Sequence, residues 1–272
     1  MNHTHIFQHE AMKTTYTLRL ISKDRVKAEN AKQQCIERID DLESKLSRHH
    51  EGSDIWLINH LKTDKSLFIS EDSYACLRLA LEAHELTAGL FDSTLGRQIE
   101  HSKVLAKDDA PPIEGSLRID PDHPAVYCLE AGREIDLGGI GKGYTLDALK
   151  DICLDWEVES ALLSSGASTH LAYGQHAWPI SLHSSQSSRI IQLFNMALSA
   201  SGNGTLDNNH IISPDTNMPK AQHERIWLTT KSAAMADAWS TAALLMSRNE
   251  LEEISGDQIC VYLAEAEEIT QI

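Results

Sequence analysis

With 272 residues, 40 Asp+Glu against 24 Lys+Arg and a formal charge of −16, the chain is long enough to bury a sizeable core and too acidic for a nucleic-acid binder. Hydrophobic residues at 42% and charged residues at 24% exclude general disorder and the collagen-like and disulfide-scaffold classes. An acidic chain that handles phosphate esters needs help from a cation, and that is the first functional constraint.

In chain order, Tyr16, Leu18 and Leu20 alternate with polar residues and predict a half-buried strand. His3, His5 and His9 just before it read as a strand end rather than a metal site. Ala28, Ala31, Cys35, Ile39, Leu42 and Leu46 step by three or four, which predicts a long amphipathic helix stopping near the His49-His50-Glu51-Gly52 turn. A second helix begins with Ser70 as N-cap, carries Glu71 and Asp72 in its first turn, and stops at Gly89. Residues 97–132, with Pro111, Pro112, Pro121 and Pro124, read as the loop region. Strands follow at 126–129, 161–164, 178–182, 190–194, 226–230 and 259–263, with helices at 143–153 and 232–247. Many strands with few, long helices predict a mixed α+β fold. The five cysteines are scattered singly, with Cys35 and Cys76 on apolar helix stripes, so neither a disulfide framework nor a zinc site is indicated. Seven acids between Glu250 and Ile272, without a Lys or Arg, read as a solvated face. No signal-peptide pattern opens the chain and no run approaches membrane-spanning length, so a cytoplasmic location is expected.

Four segments carry chemistry. Residues 136–147, DLGGIGKGYTLD, bring a strand through four glycines into a helix, a layout that serves either a phosphate, with Lys142 as point charge, or a tight structural turn. The spacing matches neither the Rossmann nor the P-loop pattern. In AMADAWST, Asp237 and Thr241 stand at i and i+4 on one face of an almost wholly apolar helix. A buried Asp there needs a partner: a hard cation such as Mg²⁺, or a Lys or backbone N–H groups. His210, in HIISPDTN, stands at a strand end as a general base or as a structural histidine. TAGLFDST, from Thr87, reads as helix stop and turn.

Taken in order, these segments resemble the ApbE family of flavin transferases (FAD:protein FMN transferases) along almost the whole chain. The pieces are AMKTTY around Met12, SRHHEGSDIWLIN from Ser47, TAGLFDST, IDLGGIGKGYTLD, ALSASG, HIISPDTNMP and ADAWSTA. The resemblance implies an ApbE-like (T-fold-like) α+β fold with mixed sheets flanked by helices, in one domain over 1–272 with the nucleotide site between two lobes. It implies Mg²⁺-dependent cleavage of FAD, placing FMN on a Thr or Ser of a target protein and releasing AMP. It also implies that Asp237, Thr241, Ser240 and the backbone carbonyl of Thr145 hold the metal, that Lys142 and the glycines hold phosphate, and that His210 activates the acceptor hydroxyl. By the same resemblance Met12, His49, Leu90, Phe91, Asp92, Lys142, Asp147, Ala148 and Ile212 surround the nucleotide. The alternatives are an FAD pyrophosphatase, in which water replaces the protein hydroxyl, and a non-enzymatic nucleotide- or flavin-binding descendant.

Departures from the family pattern gather on the nucleotide side. His49 stands in place of an aromatic, Lys13 in place of a glycine, and Ser213, Asp215 and Asn217 in place of Asp, Arg and Gly. Gly141 replaces an Ala, and Ser165-Gly166-Ala167 replaces Gly-Gly-Asp. The stretch 96–134 is short and lacks the family's Leu-Trp-Gly-Phe piece. Ser165-Gly166-Ala167-Ser168 also resembles the Ser/Thr-Gly-Ala-Thr/Ser motif of proteins that accept FMN, although it follows what reads as a buried strand.

Overall fold

The computed structural model describes residues 3–103, 111–202, 221–265 and 268–272. The chain opens with a hairpin of β1 (His3–Ala11) and β2 (Thr14–Ser22), turned at Met12 and Lys13 with φ of 50° and 58°. Two left-handed residues in a two-residue hairpin match the twist of the strands, at a strain that glycine would avoid. Asp24 then caps α1 (Arg25–Leu46), accepting from the backbone N–H groups of Val26 and Lys27, and the six apolar residues read from the sequence are the buried ones.

Beyond it come α2 (Asp54–Asn59), β3 (Lys65–Phe68), α3 (Glu71–Leu86), α4 (Gly96–Lys103), β4 (Ser116–Ile119) and β5 (Ala125–Glu130). Ser70 caps α3 as expected. The stretch 97–132 is not only loop, because most of α4, all of β4 and all of β5, the strand expected at 126–129, fall in it. All three are short, and periodicity is weak over so few residues.

The second half runs α5 (Gly141–Asp155), β6 (Ser160–Ser165), β7 (Thr169–Gly174), β8 (Trp178–His183), β9 (Ser188–Leu193), β10 (Ala197–Gly202), β11 (Arg225–Thr230), α6 (Ala233–Ala243), α7 (Arg248–Ile254), β12 (Cys260–Ala264) and β13 (Ile269–Gln271). The helix expected over 232–247 therefore ends at Ala243. Ser247 instead caps α7 in a reciprocal capping box with Glu250.

Eight strands form one sheet in the order β1-β2-β6-β7-β10-β11-β12-β13, with antiparallel pairing throughout. A three-stranded sheet, β3-β5-β4, and the hairpin β8-β9 complete the mixed α+β architecture. One face of the large sheet carries α1, α5 and α6, and the other packs the β8-β9 hairpin through Trp178, Leu182 and Leu193 against Leu162, Leu198 and Trp227. Cys35 and Cys153 are buried with their sulfurs 3.8 Å apart, packing as small hydrophobes between α1 and α5. Among the described residues no helix is long and apolar enough to cross a membrane.

Two close approaches fix the centre. A Cβ on Gly143 would lie 2.0 Å from the carbonyl oxygen of Ala233, so only glycine lets α5 cross α6 at this distance. One turn on, Asp147 accepts from the N–H groups of Ala233 and Ala234 and from the Ser232 hydroxyl, each at 2.8–2.9 Å. It thereby satisfies the orphan donors at the start of α6. Burial pushes the Asp147 carboxyl above its ordinary value, against the pull of those three donors.

Candidate functional site

The start of α5, the middle of α6 and the ends of β7 and β10 converge on a cavity of about 470 Å³. A smaller cavity of about 200 Å³ adjoins it, and Lys103, Asp136, Gly138 and Lys142 belong to the walls of both.

Asp237 is the chemical centre of the larger cavity. It is buried, yet it lines the wall. Its Oδ1 accepts from Ser199 Oγ (3.0 Å) and Thr169 Oγ1 (3.3 Å), and its Oδ2 accepts from the N–H of Gly143 (3.3 Å) with Lys142 Nζ at 3.5 Å. The carboxylate is thus paired and hydrogen-bonded, as a buried charge must be. The second of the four glycines at the start of α5 and its approach, Gly139, matters differently from the fourth, Gly143. At Gly139 a Cβ would come within 3.1 Å of Phe91 and 3.2 Å of Thr241 Oγ1, so its absence keeps the Thr241 hydroxyl open to the cavity.

The sequence-derived metal set divides here. Asp237 and Thr241 line the cavity, whereas Ser240 and Thr145 do not. Ser240 is buried behind them, donating to the carbonyl of Asp237 (2.9 Å) and paired with Ser201 Oγ (2.9 Å). Thr145 lies fully buried inside α5, its hydroxyl donating to the carbonyl of Gly141 (2.8 Å). Among the described residues no three His, Cys, Asp or Glu side chains gather into a metal cage.

Of the nucleotide candidates, Leu90, Phe91 and Asp92 form one wall of the larger cavity, Met12 and His49 line the smaller one, and Lys142 serves both. Phe91 is placed by its backbone. Thr87 Oγ1 bonds the last turn of α3 and accepts from the Phe91 N–H (3.0 Å), while His84 Nδ1 stands 2.9 Å from the Phe91 carbonyl. Asp92 spends its carboxylate on Thr94 and on Arg133 (3.2 Å), holding the loop in shape. Met12 is fixed from both sides, its N–H donating to Glu43 (2.7 Å) and its sulfur accepting from the Tyr16 hydroxyl (3.0 Å). Burial, Lys13 and Arg48 lower the His49 pKa and favour its neutral form. Asp147 and Ala148 line neither cavity: the first caps α6, and the second packs on the core. His210 and Ile212 lie outside the described residues.

Sequence reasoning gave no site role to Asp136, Thr169, Ser199, Ser201 or Arg225, and it named Ser168 only within the acceptor-like motif. Asp136 accepts from the Gly138 N–H (2.7 Å) and pairs with Arg48 (3.2 Å), so it holds the glycine turn open between the cavities. Its place at the head of DLGGIGKG was the signal for it. Ser199 and Ser201 lie in the ALSASG piece, and their period-two spacing puts both hydroxyls on the α6 side of β10. Thr169 and Arg225 carried no local signal. In the Ser165–Ser168 motif, Ser165 is buried at the end of β6 and Gly166 turns the chain with φ of 59°, so Ser168 alone reaches the cavity.

The profile of the ApbE family matches residues 12–262. This chain belongs to the ApbE family. A curated relative, the FAD:protein FMN transferase of Klebsiella pneumoniae (strain 342), is 24% identical over 184 residues, a match that spans 62% of this ApbE chain and 57% of the relative. Among solved structures, the flavin transferase ApbE from Vibrio cholerae aligns with a TM-score of 0.86 at 18% identity, covering 100% of this chain and 97% of that one. The apo flavinyl transferase ApbE of Pseudomonas stutzeri gives 0.85 at 20%, covering 100% and 94%. The ApbE protein of Thermotoga maritima gives 0.81 at 22%, covering 99% and 97%. At these identities the structural likeness carries the ApbE fold.

Proposed function

We propose that this protein transfers FMN from FAD to a Thr or Ser hydroxyl of a target protein, with release of AMP. The observation that carries the reading is Asp237, a buried carboxylate opening onto a cavity beside Lys142 and the glycine turn, in a chain that the family profile matches over 12–262.

The donor chemistry fits Mg²⁺. One carboxylate and a hydroxyl are all-oxygen ligands, and Mg²⁺ is commonly held by one or two carboxylates with substrate phosphates and water rather than by an all-protein cage. Asp237 and Thr241 would hold it, with Ser240 and Thr145 buttressing them from behind. When bound it would supply Lewis-acid polarisation and charge neutralisation at the pyrophosphate. The protein's own contribution is positioning. Lys142, anchored on the Gly138 carbonyl (2.7 Å), offers its remaining charge to the phosphates at the boundary of the two cavities. Leu90, Phe91, Met12 and His49 supply the surfaces on which the nucleotide rings rest, and His210 takes the acceptor's proton.

A peptide carrying Ser-Gly-Ala-Thr should gain the mass of one FMN when incubated with the protein, FAD and Mg²⁺, read by mass spectrometry. The D237N variant should lose at least about 100-fold in rate, the scale expected when a charge-stabilising group is removed. Release of FMN and AMP with no peptide modified would establish the hydrolytic reading instead. Absence of both products would sink the assignment.

A further inference from the structure

Arg225 stands at the start of β11, half-buried, in the wall of the larger cavity. The other arginine lining the two cavities is engaged: Arg48 bonds Glu134, Asp136 and the Gly96 carbonyl. Lys103 and Lys142 each face a carboxylate, Asp136 and Asp237 respectively. Arg225 has no ion pair or hydrogen bond from its guanidinium to any described residue; the group lies 5.3 Å from the centre of the Trp227 ring. Burial lowers its pKa, and only the field of neighbouring Glu224 opposes the shift. Its stem is accommodated by Gly202 across the ladder, where a Cβ would come 3.0 Å from Arg225 Cγ. Ser168 and Ser201 line the same cavity.

A guanidinium held over an indole is oriented before any ligand arrives, and half-burial with no counter-charge among the described residues is unfavourable until an anion comes. We propose that Arg225 is a phosphate-binding residue for the nucleotide that leaves, the adenylate half of the dinucleotide. The inference rests on the transfer reading above. In that reaction the acceptor oxygen bonds to the flavin-side phosphorus and gives its proton to the base. The bond from that phosphorus to the bridging oxygen breaks, and its electron pair stays on the bridging oxygen, now part of AMP. The leaving phosphate thereby gains negative charge, while Lys142 and Lys103 are already shared with carboxylates. Among the described residues Arg225 is the cation of the cavity left over, and its planar fork suits a phosphate.

The test compares AMP with adenosine, and FMN with riboflavin, by calorimetric titration of wild type, R225Q, R225K and W227F. Wild type should bind AMP at least about tenfold more tightly than adenosine, the scale of one charge-assisted contact. R225Q should bring the two within about threefold and leave the FMN-to-riboflavin ratio unchanged. R225K should recover part of the gap, and W227F, which loosens the stack without touching the charge, should fall between. Because the ratios compare ligands on one protein, a partly destabilised variant still reports. Equal binding of AMP and adenosine by wild type, an undiminished gap in R225Q, or loss of the FMN gap instead, would each overturn the assignment. Failure of FMN transfer with the AMP gap intact would remove the reading above and leave the phosphate site standing.

Discussion

At the residue scale, the site depends on what is missing as much as on what is present. Gly139 leaves a gap in which the Thr241 hydroxyl and the Phe91 ring edge meet, and a methyl group there would sit 3.1–3.2 Å from both. If transfer is Mg²⁺-dependent as proposed, G139A should therefore weaken it while sparing the fold. The Mg²⁺ concentration for half-maximal transfer is expected to rise about tenfold, equivalent to roughly 1.4 kcal/mol. The melting temperature should stay near that of wild type, since Phe91 and Thr241 can each yield a few tenths of an ångström. Titration of Mg²⁺ in the transfer assay, alongside a thermal melt, separates the two effects. The i,i+4 spacing put Asp237 and Thr241 on one face of an apolar helix and left the partner of Asp237 open; only the family resemblance made the two a metal pair. That Ser199 and Thr169 share the Asp237 carboxylate was not, because they come from strands 30 residues or more away in sequence.

At the scale of elements, the crossing of α5 and α6 positions everything else. Gly143 sets how close the helices come, and Asp147 ties the start of α6 to the side of α5. In G143A the added carbon would fall on backbone rather than on a flexible side chain, so the helices must separate. A loss of about 3 kcal/mol or more is expected, in the range of overpacked cores. D147N should cost about 1–2 kcal/mol, as loss of a good helix cap does, and urea melts of the two variants would measure both. G143A should also depress transfer more than its stability loss accounts for, because the Gly143 N–H donates to Asp237. The long helices were readable from their apolar periodicity, and Ser70 caps α3 where its chemistry says it should; the Asp24 cap of α1 was not singled out from the sequence. The central strands β7 and β10 were not, because they are short and their runs THLAYG and ALSASG carry no sustained alternation of apolar and polar residues. Asp147 shows the limit of reading by motif, since its place in the glycine segment suggested a ligand contact and its three donors make it a cap.

At the scale of the whole molecule, pH acts through buried groups. His170, on β7, bonds Ser164 across the ladder (2.9 Å), and burial lowers its pKa from the ordinary 6.5 to about 4, with Arg19 adding to the effect. The unfolded chain therefore takes up this proton first as pH falls. The stability that neutral His170 provides is complete above about pH 6.5, declines below it, and levels off beneath about pH 4. Between pH 7 and 5 the loss should be about 2 kcal/mol, and H170N should flatten that part of the curve in urea titrations at the two pH values. A wild-type curve with no slope over this range would contradict the burial of His170.

The sequence by itself determined the class, the long helices and, through seven short segments in a fixed order, the family. These are properties that local spacing carries, since capping, amphipathic period and motif order need no knowledge of distant neighbours. The net charge of −16 acquires its meaning only in three dimensions. Folding gathers Lys142, Lys103, Arg48 and Arg225 onto the walls of two adjoining cavities, and the field there is set by which of them already face a carboxylate. Which cations are shared and which is left over depends on distances of a few ångströms between elements far apart in the chain. The division of the motif residues into those that reach the cavity and those that hold it up is decided in the same way, by the packing of α5 against α6 and of both against the sheet.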